Sequence, residues 1–161
     1  MRAARSRTSV SAVAGGWALG SVVTLQSGAP FTVNTAVNTT NAFSVGPLRA
    51  DVLRDPNLTP ADRTLTRWFD TSAFVQPEPY RFGNQGVNIL RSDGLVNSDF
   101  SILRNFSTRQ GIRVQFRGEL FNAVNHTNFG LPGRVLGNPD FGVVDTAGPA
   151  PRVQLGLRLI F

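Results

Sequence analysis

The sequence has no cysteine and no long apolar run, and few of its residues are charged. Without cysteine, neither a disulfide framework nor a thiolate metal site is available. No stretch of about 18 consecutive apolar residues occurs, so the sequence contains no transmembrane helix. The charged fraction is 16%, below the roughly 25% of an ordinary soluble domain. The chain has instead 16 glycines, 10 prolines and many Asn and Thr residues, a composition typical of turns and strands.

The charge of the chain is strongly one-sided. Lysine is absent, all 16 basic residues are arginine, and 10 acidic residues leave a net charge of +6. In a nucleic-acid binder, arginines should cluster on one face with aromatic side chains between them. Only Arg113 and Arg117 share a predicted strand face closely, with Glu119 beside them, and the other arginines are scattered. We therefore expect no nucleic-acid partner.

Residues 152–161 form the most regular pattern in the sequence. One side is apolar and consists of Val153, Leu155, Leu157, Leu159 and Phe161. The other side is mostly polar and consists of Arg152, Gln154, Gly156, Arg158 and Ile160. This alternation predicts a β-strand that needs apolar surroundings on one face and neighbouring strands on its edges.

Three further segments have strand patterns, at residues 16–27, 98–106 and 112–122. A short turn at residues 107–111 makes the last two a hairpin. Residues 34–97 and 125–151 are irregular and rich in turn-forming residues, and they are predicted to be two long loops. The fold class predicted from this order is all-β, with antiparallel up-and-down strands.

The two kinds of connection indicate a particular all-β class. Long loops at one end of the strands and a tight turn at the other are typical of outer-membrane barrels, whose long loops are extracellular. Strands of about ten residues are also long enough to cross a bilayer when tilted. The sequence therefore predicts a partial, about four-stranded outer-membrane β-barrel. On its polar faces the lumen-facing candidates are Arg113, Arg117, Glu119, Arg152 and Arg158.

A few residues on the apolar faces do not follow the simple pattern. Arg104 interrupts the apolar side of the 98–106 strand, and an arginine in mid-membrane is costly. We expect Arg104 to lie near a membrane interface or to break the strand. Trp17, Phe106 and Phe116 fit the aromatic girdles found at membrane interfaces, but they also fit the core of a soluble protein.

The N-terminal segment leaves a second hypothesis open. A basic start at residues 1–7 and a fairly apolar stretch at residues 10–23 have the order of a secretory signal peptide. Under this alternative the chain is a secreted, soluble all-β binding module. It requires Val153, Leu155, Leu157 and Leu159 to pack on another sheet of the same chain, whereas the barrel hypothesis leaves them exposed.

Several stretches together resemble the C-terminal part of the β-barrel of TonB-dependent outer-membrane receptors, in the Oar-like group with a carboxypeptidase-regulatory-like domain. They extend over nearly the whole chain past residue 15. The most specific of them are RGELFNAVNHTNFG at residues 117–130 and the ending PRVQLGLRLIF at residues 151–161. The others are WALG (17–20), SGAPFTV (27–33), WFDTSAF (68–74), FGN (82–84) and NSDFSI (97–102).

This resemblance implies a role and a set of partners. The intact family imports or binds bulky ligands with energy from the inner membrane, and its last strand resembles the signal read by the barrel-assembly machinery. Here that signal corresponds to Val153, Leu155, Leu157, Leu159 and Phe161. The implied partners are outer-membrane lipid, the remaining barrel strands and the plug, with TonB reached only through an N-terminal part. Because no plug or TonB box is recognisable, we expect a fragment without transport activity of its own.

Catalytic and metal sites have little support in the sequence. Asp70, Thr71 and Ser72 suggest a nucleophile, but no histidine is near them in sequence. His126 is the only histidine, and no second His or any Cys supports it as a metal ligand. The aspartates considered for Ca²⁺ lack EF-hand spacing and are Asp51, Asp55 and Asp62. We expect no enzymatic activity and no cofactor.

Overall fold

The structure, a computed structural model, describes residues 15–42, 48–107 and 111–161. These residues form ten β-strands and one short 3-10 helix at Thr71–Ala73, with no α-helix among them. The predicted all-β class is confirmed. The strands are β1 (Trp17–Gln26), β2 (Pro30–Phe31), β3 (Asn34–Thr35), β4 (Asp51–Val52), β5 (Phe74–Val75), β6 (Leu90–Arg91), β7 (Leu95–Ser107), β8 (Arg113–Phe121), β9 (Val135–Leu136) and β10 (Arg152–Ile160).

The four long strands form one sheet in the order β1-β7-β8-β10. Strands β7 and β8 pair antiparallel from Phe100↔Leu120 to Ser107↔Arg113, and β8 pairs antiparallel with β10 along its whole length. The sheet is open, since β1 and β10 are its outer strands. It belongs to the first of two compact units, drawn from the described parts of Met1–Thr24, Val96–His126 and Pro149–Phe161.

The four predicted long strands correspond to β1, β7, β8 and β10, and the largest difference is in β7. It begins at Leu95, three residues before the predicted start, and has 13 residues. At that end the Asp99 carboxylate accepts a hydrogen bond of 3.0 Å from the backbone N–H of Asn122, just after β8. Residues 108–110 of the predicted tight turn, and residues 1–14 of the signal-peptide alternative, lie outside the described residues.

The second compact unit contains most of the two long loops predicted at residues 34–97 and 125–151. It comprises Leu25–Leu95 and Thr127–Gly148 and has a hydrophobic core of its own. The buried residues of this core are Phe31, Val33, Ala50, Trp68, Phe69, Ala73, Phe74, Leu90 and Val144. The two connections fold together because apolar side chains scattered along both of them meet in one cluster.

Short pairings and buried polar contacts order the rest of the second unit. Strand β3 pairs in parallel with β9, joining the first long connection to the second. The Asp51 carboxylate is buried and binds Arg81, and it also accepts from the backbone N–H of Asn84 at 2.8 Å. Residues 60–62 form a turn in which the Thr59 hydroxyl donates to Asp62 at 2.6 Å.

Candidate functional site

Strand pairing gives the long sheet two chemically distinct faces. Strand β10 lies in register with β8 from Arg152↔Phe121 to Ile160↔Arg113. Since side chains alternate along a strand, the residues paired in this ladder share a face. One face of these two strands is apolar except for Gly118 and consists of Val153, Leu155, Leu157 and Leu159 with Val114, Phe116, Gly118 and Leu120.

The apolar side chains of β10 are exposed. Val153, Leu155 and Leu157 keep 69–70% of their maximal accessible surface, and Leu159 keeps 54%. The soluble-module alternative required these side chains to pack on another sheet of the chain, and that expectation is wrong. Phe161 follows the strand and is 97% exposed. A contiguous apolar face of this kind marks a surface that contacts a membrane or another protein.

Arg104 lies on this apolar face without breaking β7. It pairs with Phe116 in the β7–β8 ladder and is only 5% exposed. Its guanidinium lies over the Trp17 ring at 4.9 Å and over the Phe106 ring at 4.4 Å, and Trp17 meets Phe116 edge-on at 6.2 Å. The expectation that Arg104 breaks the strand is therefore wrong, because two aromatic rings cover the cation. That it lies near a membrane interface stays a prediction.

All five lumen-facing candidates lie on the opposite face of the sheet. By their alternation in β8 and β10, Arg113, Arg117 and Glu119 share this face with Arg152 and Arg158. Arg117 and Glu119 form an ion pair of 2.6 Å, and the Arg152 guanidinium lies 5.7 Å from the Phe121 ring. The sequence predicted this grouping by its period of two. Whether the face lines an aqueous lumen stays a prediction.

The second unit contains Asp70, Thr71 and Ser72, the residues that suggested a nucleophile in the sequence. Their contacts stabilise the local backbone turn. Asp70 caps the 3-10 helix, since its Oδ1 accepts from the Ser72 hydroxyl at 2.6 Å and from the Ser72 backbone N–H at 3.2 Å. Arg54 donates to Asp70 Oδ2 at 2.7 Å and to the Ser72 hydroxyl oxygen at 2.6 Å. Both carboxylate oxygens are therefore engaged in fixing the chain around residues 70–73.

These contacts give a pH prediction. The hydrogen bond from the Ser72 hydroxyl, aided by Arg54, holds the pKa of Asp70 below its usual 3.8 against the opposing effect of burial. A carboxyl with a lowered pKa in the folded state stabilises the fold above pH 3.8, and this contribution is lost as the pH falls through the lowered value. We expect Asp70→Asn to cost about 1–2 kcal/mol at pH 7 and much less at pH 2.

The measurement is urea unfolding in a Trp17→Phe background, followed by the fluorescence of the buried Trp68. Asp145→Asn is the matched control, because Asp145 is an exposed aspartate of the same unit, and it should change little at either pH. An equal cost of Asp70→Asn at both pH values would contradict the assigned role of the carboxylate.

The three aspartates considered as Ca²⁺ ligands each bind a different partner in the chain. Asp51 binds Arg81, Asp62 accepts from Thr59, and Asp55 accepts from the backbone and side-chain N–H groups of Asn57. The backbone hydrogen bond from Asn57 also lowers the pKa of Asp55. Within residues 15–42, 48–107 and 111–161, no group of three or more His, Cys, Asp or Glu side chains is placed to hold a metal ion.

The lone histidine lies in the turn that follows β8. Asn122 is buried, and its backbone has a positive φ of 50°. Its side-chain amide donates to the backbone carbonyl of His126 at 3.1 Å and accepts from the backbone N–H of His126 at 3.2 Å. Asn122 also donates to the Pro149 carbonyl at 3.3 Å, close to the start of β10. Sequence reasoning missed Asn122, although asparagine is enriched where a non-glycine residue adopts positive φ.

Comparison with known proteins agrees with the two-faced sheet. Among the described residues, no helix is long and apolar enough to cross a membrane. Neither curated proteins nor solved structures yielded a match to this chain. The family model described as an outer membrane beta barrel domain matches residues 2–156, which is nearly the full length. The chain therefore belongs to the outer-membrane β-barrel domain family and is located in the outer membrane of a Gram-negative bacterium.

Proposed function

We propose that the chain forms the C-terminal sector of the barrel of a TonB-dependent receptor of the Oar-like group, a protein that binds or imports bulky ligands. The observation that carries the proposal is the open four-stranded sheet, with an exposed apolar face and a polar, arginine-rich face. This is the construction of a barrel wall, with lipid on one side and an aqueous lumen on the other. The motifs at residues 117–130 and 151–161 support the specific family.

The open sheet supports a role as part of a larger barrel. The smallest barrels of this kind have about eight strands, and receptors of this type have about 22. The outer strands β1 and β10 each expose an edge that a neighbouring barrel strand pairs with. The partners we propose are the remaining strands and the plug, and the barrel-assembly machinery recognising the strand that precedes Phe161. From these four strands alone we expect neither transport nor enzymatic activity.

The second unit supports a binding role in the intact receptor. Its two segments, Leu25–Leu95 and Thr127–Gly148, connect β1 to β7 and β8 to β10 along the chain. Long connections in outer-membrane barrels are extracellular. This unit has a hydrophobic core of its own, and we propose that the ligand contacts of the intact receptor lie on its surface.

An antibody against the exposed stretch of the second unit at residues 59–66 tests the proposal. We expect it to detect, in the outer-membrane fraction of the native cell, a protein several times longer than 161 residues that co-purifies with TonB. A membrane-bound band the size of the 161-residue chain, with no TonB attached, would contradict the receptor role while leaving the membrane location intact.

A further inference from the structure

The apolar face of the sheet contains a groove. It has a volume of about 350 Å³ and crosses all four long strands. Its lining includes the apolar side chains of Leu19, Phe100, Ile102, Leu120, Val153 and Leu155. Leu19 is 78% exposed and Phe100 is 49% exposed, so the groove opens outward from the sheet. The groove is therefore a concave apolar surface on the otherwise flat face of the sheet.

Gly118 forms part of the floor of this groove, which Gly20 also lines. Gly118 occupies an apolar position of β8, between Phe116 and Leu120 on the same face. A Cβ at this position would lie 3.0 Å from Cγ2 of Ile102 and 3.5 Å from Cδ2 of Leu155. Glycine is unfavourable inside a strand, and its presence there often marks the close approach of a ligand or another backbone.

The membrane location and the neighbouring aromatic cluster indicate what fills the groove. Lipid surrounds the apolar face of an outer-membrane strand. Phe116 is two residues from Gly118, about 7 Å along the strand, and it contacts Trp17, whose ring is covered by Arg104. Tryptophan and arginine are the residues expected at the headgroup level, so the groove lies within the reach of an acyl chain whose headgroup is at that level.

We propose that the groove over Gly118 binds one acyl chain of a phospholipid, whose headgroup lies at the level of Trp17 and Arg104. The chain is held by burial of apolar surface on the groove side chains, so no hydrogen bond to the fatty acyl group is required. The proposal rests on the membrane location of the family and does not depend on the receptor role.

Native mass spectrometry of the full chain, refolded in detergent micelles that contain palmitoyl-oleoyl phosphatidylethanolamine, tests the proposal. Gly118→Val fills the floor of the groove, and Gly118→Ala fills it in part. The matched control is Gly156→Val on the opposite face of β10, where an added Cβ meets nothing closer than 3.9 Å. Far-UV circular dichroism of each variant verifies that the strands form.

We expect one phospholipid to remain on the wild type and on Gly156→Val, an about tenfold weaker retention by Gly118→Val, and an intermediate loss in Gly118→Ala. Undiminished retention by a folded Gly118→Val or Gly118→Ala variant would overturn the proposal. Equal loss in the Gly156→Val control, or retention of detergent alone by the wild type, would overturn it as well. None of these results bears on the length of the native protein or on its association with TonB.

Discussion

Replacing Leu155 with arginine is expected to destabilise the membrane-inserted chain by about 2–4 kcal/mol, the cost of an arginine on the lipid face at mid-membrane. Leu155 is near the centre of β10 and pairs with Gly118, and 69% of its maximal accessible surface is exposed. In water, a substitution at so exposed a position would change stability by less than about 0.5 kcal/mol. The size of the loss in unfolding free energy therefore shows whether lipid or water covers this face of the sheet.

The neighbouring residue provides the control. Gln154 is one position away in the same strand and points to the polar face, opposite Glu119. Gln154→Arg adds the same side chain at nearly the same depth and should change stability little. Urea unfolding of both variants in phospholipid vesicles measures the difference. Equal effects of the two substitutions would show that the two faces of β10 are in the same environment.

Phe69→Ala is expected to cost about 3–5 kcal/mol and to unfold the second unit. Phe69 is 1% exposed, and its ring lies 5.9 Å from that of Phe31, 5.7 Å from that of Phe74 and 5.3 Å from that of Phe141. These partners come from separate parts of both long connections. Removing the ring therefore leaves a cavity at the point where the two connections are joined.

Phe82→Ala is the matched control, because Phe82 belongs to the same unit but is 63% exposed. Hydrogen exchange measured on the full chain would show lost protection in Leu25–Leu95 and Thr127–Gly148 for Phe69→Ala alone. Loss of the same size in both variants would contradict a core centred on Phe69, and so would unchanged protection in Phe69→Ala.

The long sheet could be predicted from the sequence because its signal is local. In β10 and β8 apolar and polar residues alternate with a period of two, and this alternation assigns each side chain to a face before any partner strand is known. The same alternation grouped Arg113, Arg117, Glu119, Arg152 and Arg158. Arg104 was the exception, since its contact with Trp17 joins two strands that are far apart in sequence.

The second unit could not be predicted because its contacts are non-local. Phe31 and Phe141 both approach Phe69, although they belong to different connections. Its strands have two residues each, too short to show a period, and the pairing of β3 with β9 is parallel and links residues about a hundred positions apart. Turn-forming residues dominate such segments and conceal the few apolar residues that meet in the core.

Neither the groove nor the capping role of Asp70 could be predicted from the sequence, and the reasons differ. Gly118 occupies an apolar position of the β8 pattern, and only the structure shows that it lines a groove formed by side chains of all four long strands. Asp70 and Ser72 are two positions apart in a segment that suggested a nucleophile. Their hydrogen bonds to each other and to Arg54 show a helix cap and an ion pair instead.

The central claim is that β10 separates lipid from water, and cysteine scanning tests it most directly. The chain has no native cysteine, so single cysteines at residues 153–159 can be labelled with a water-soluble maleimide in phospholipid vesicles. We predict an alternation, with rapid labelling at 154, 156 and 158 and protection at 153, 155, 157 and 159. Uniform labelling along the strand, or the opposite alternation, would contradict the claim.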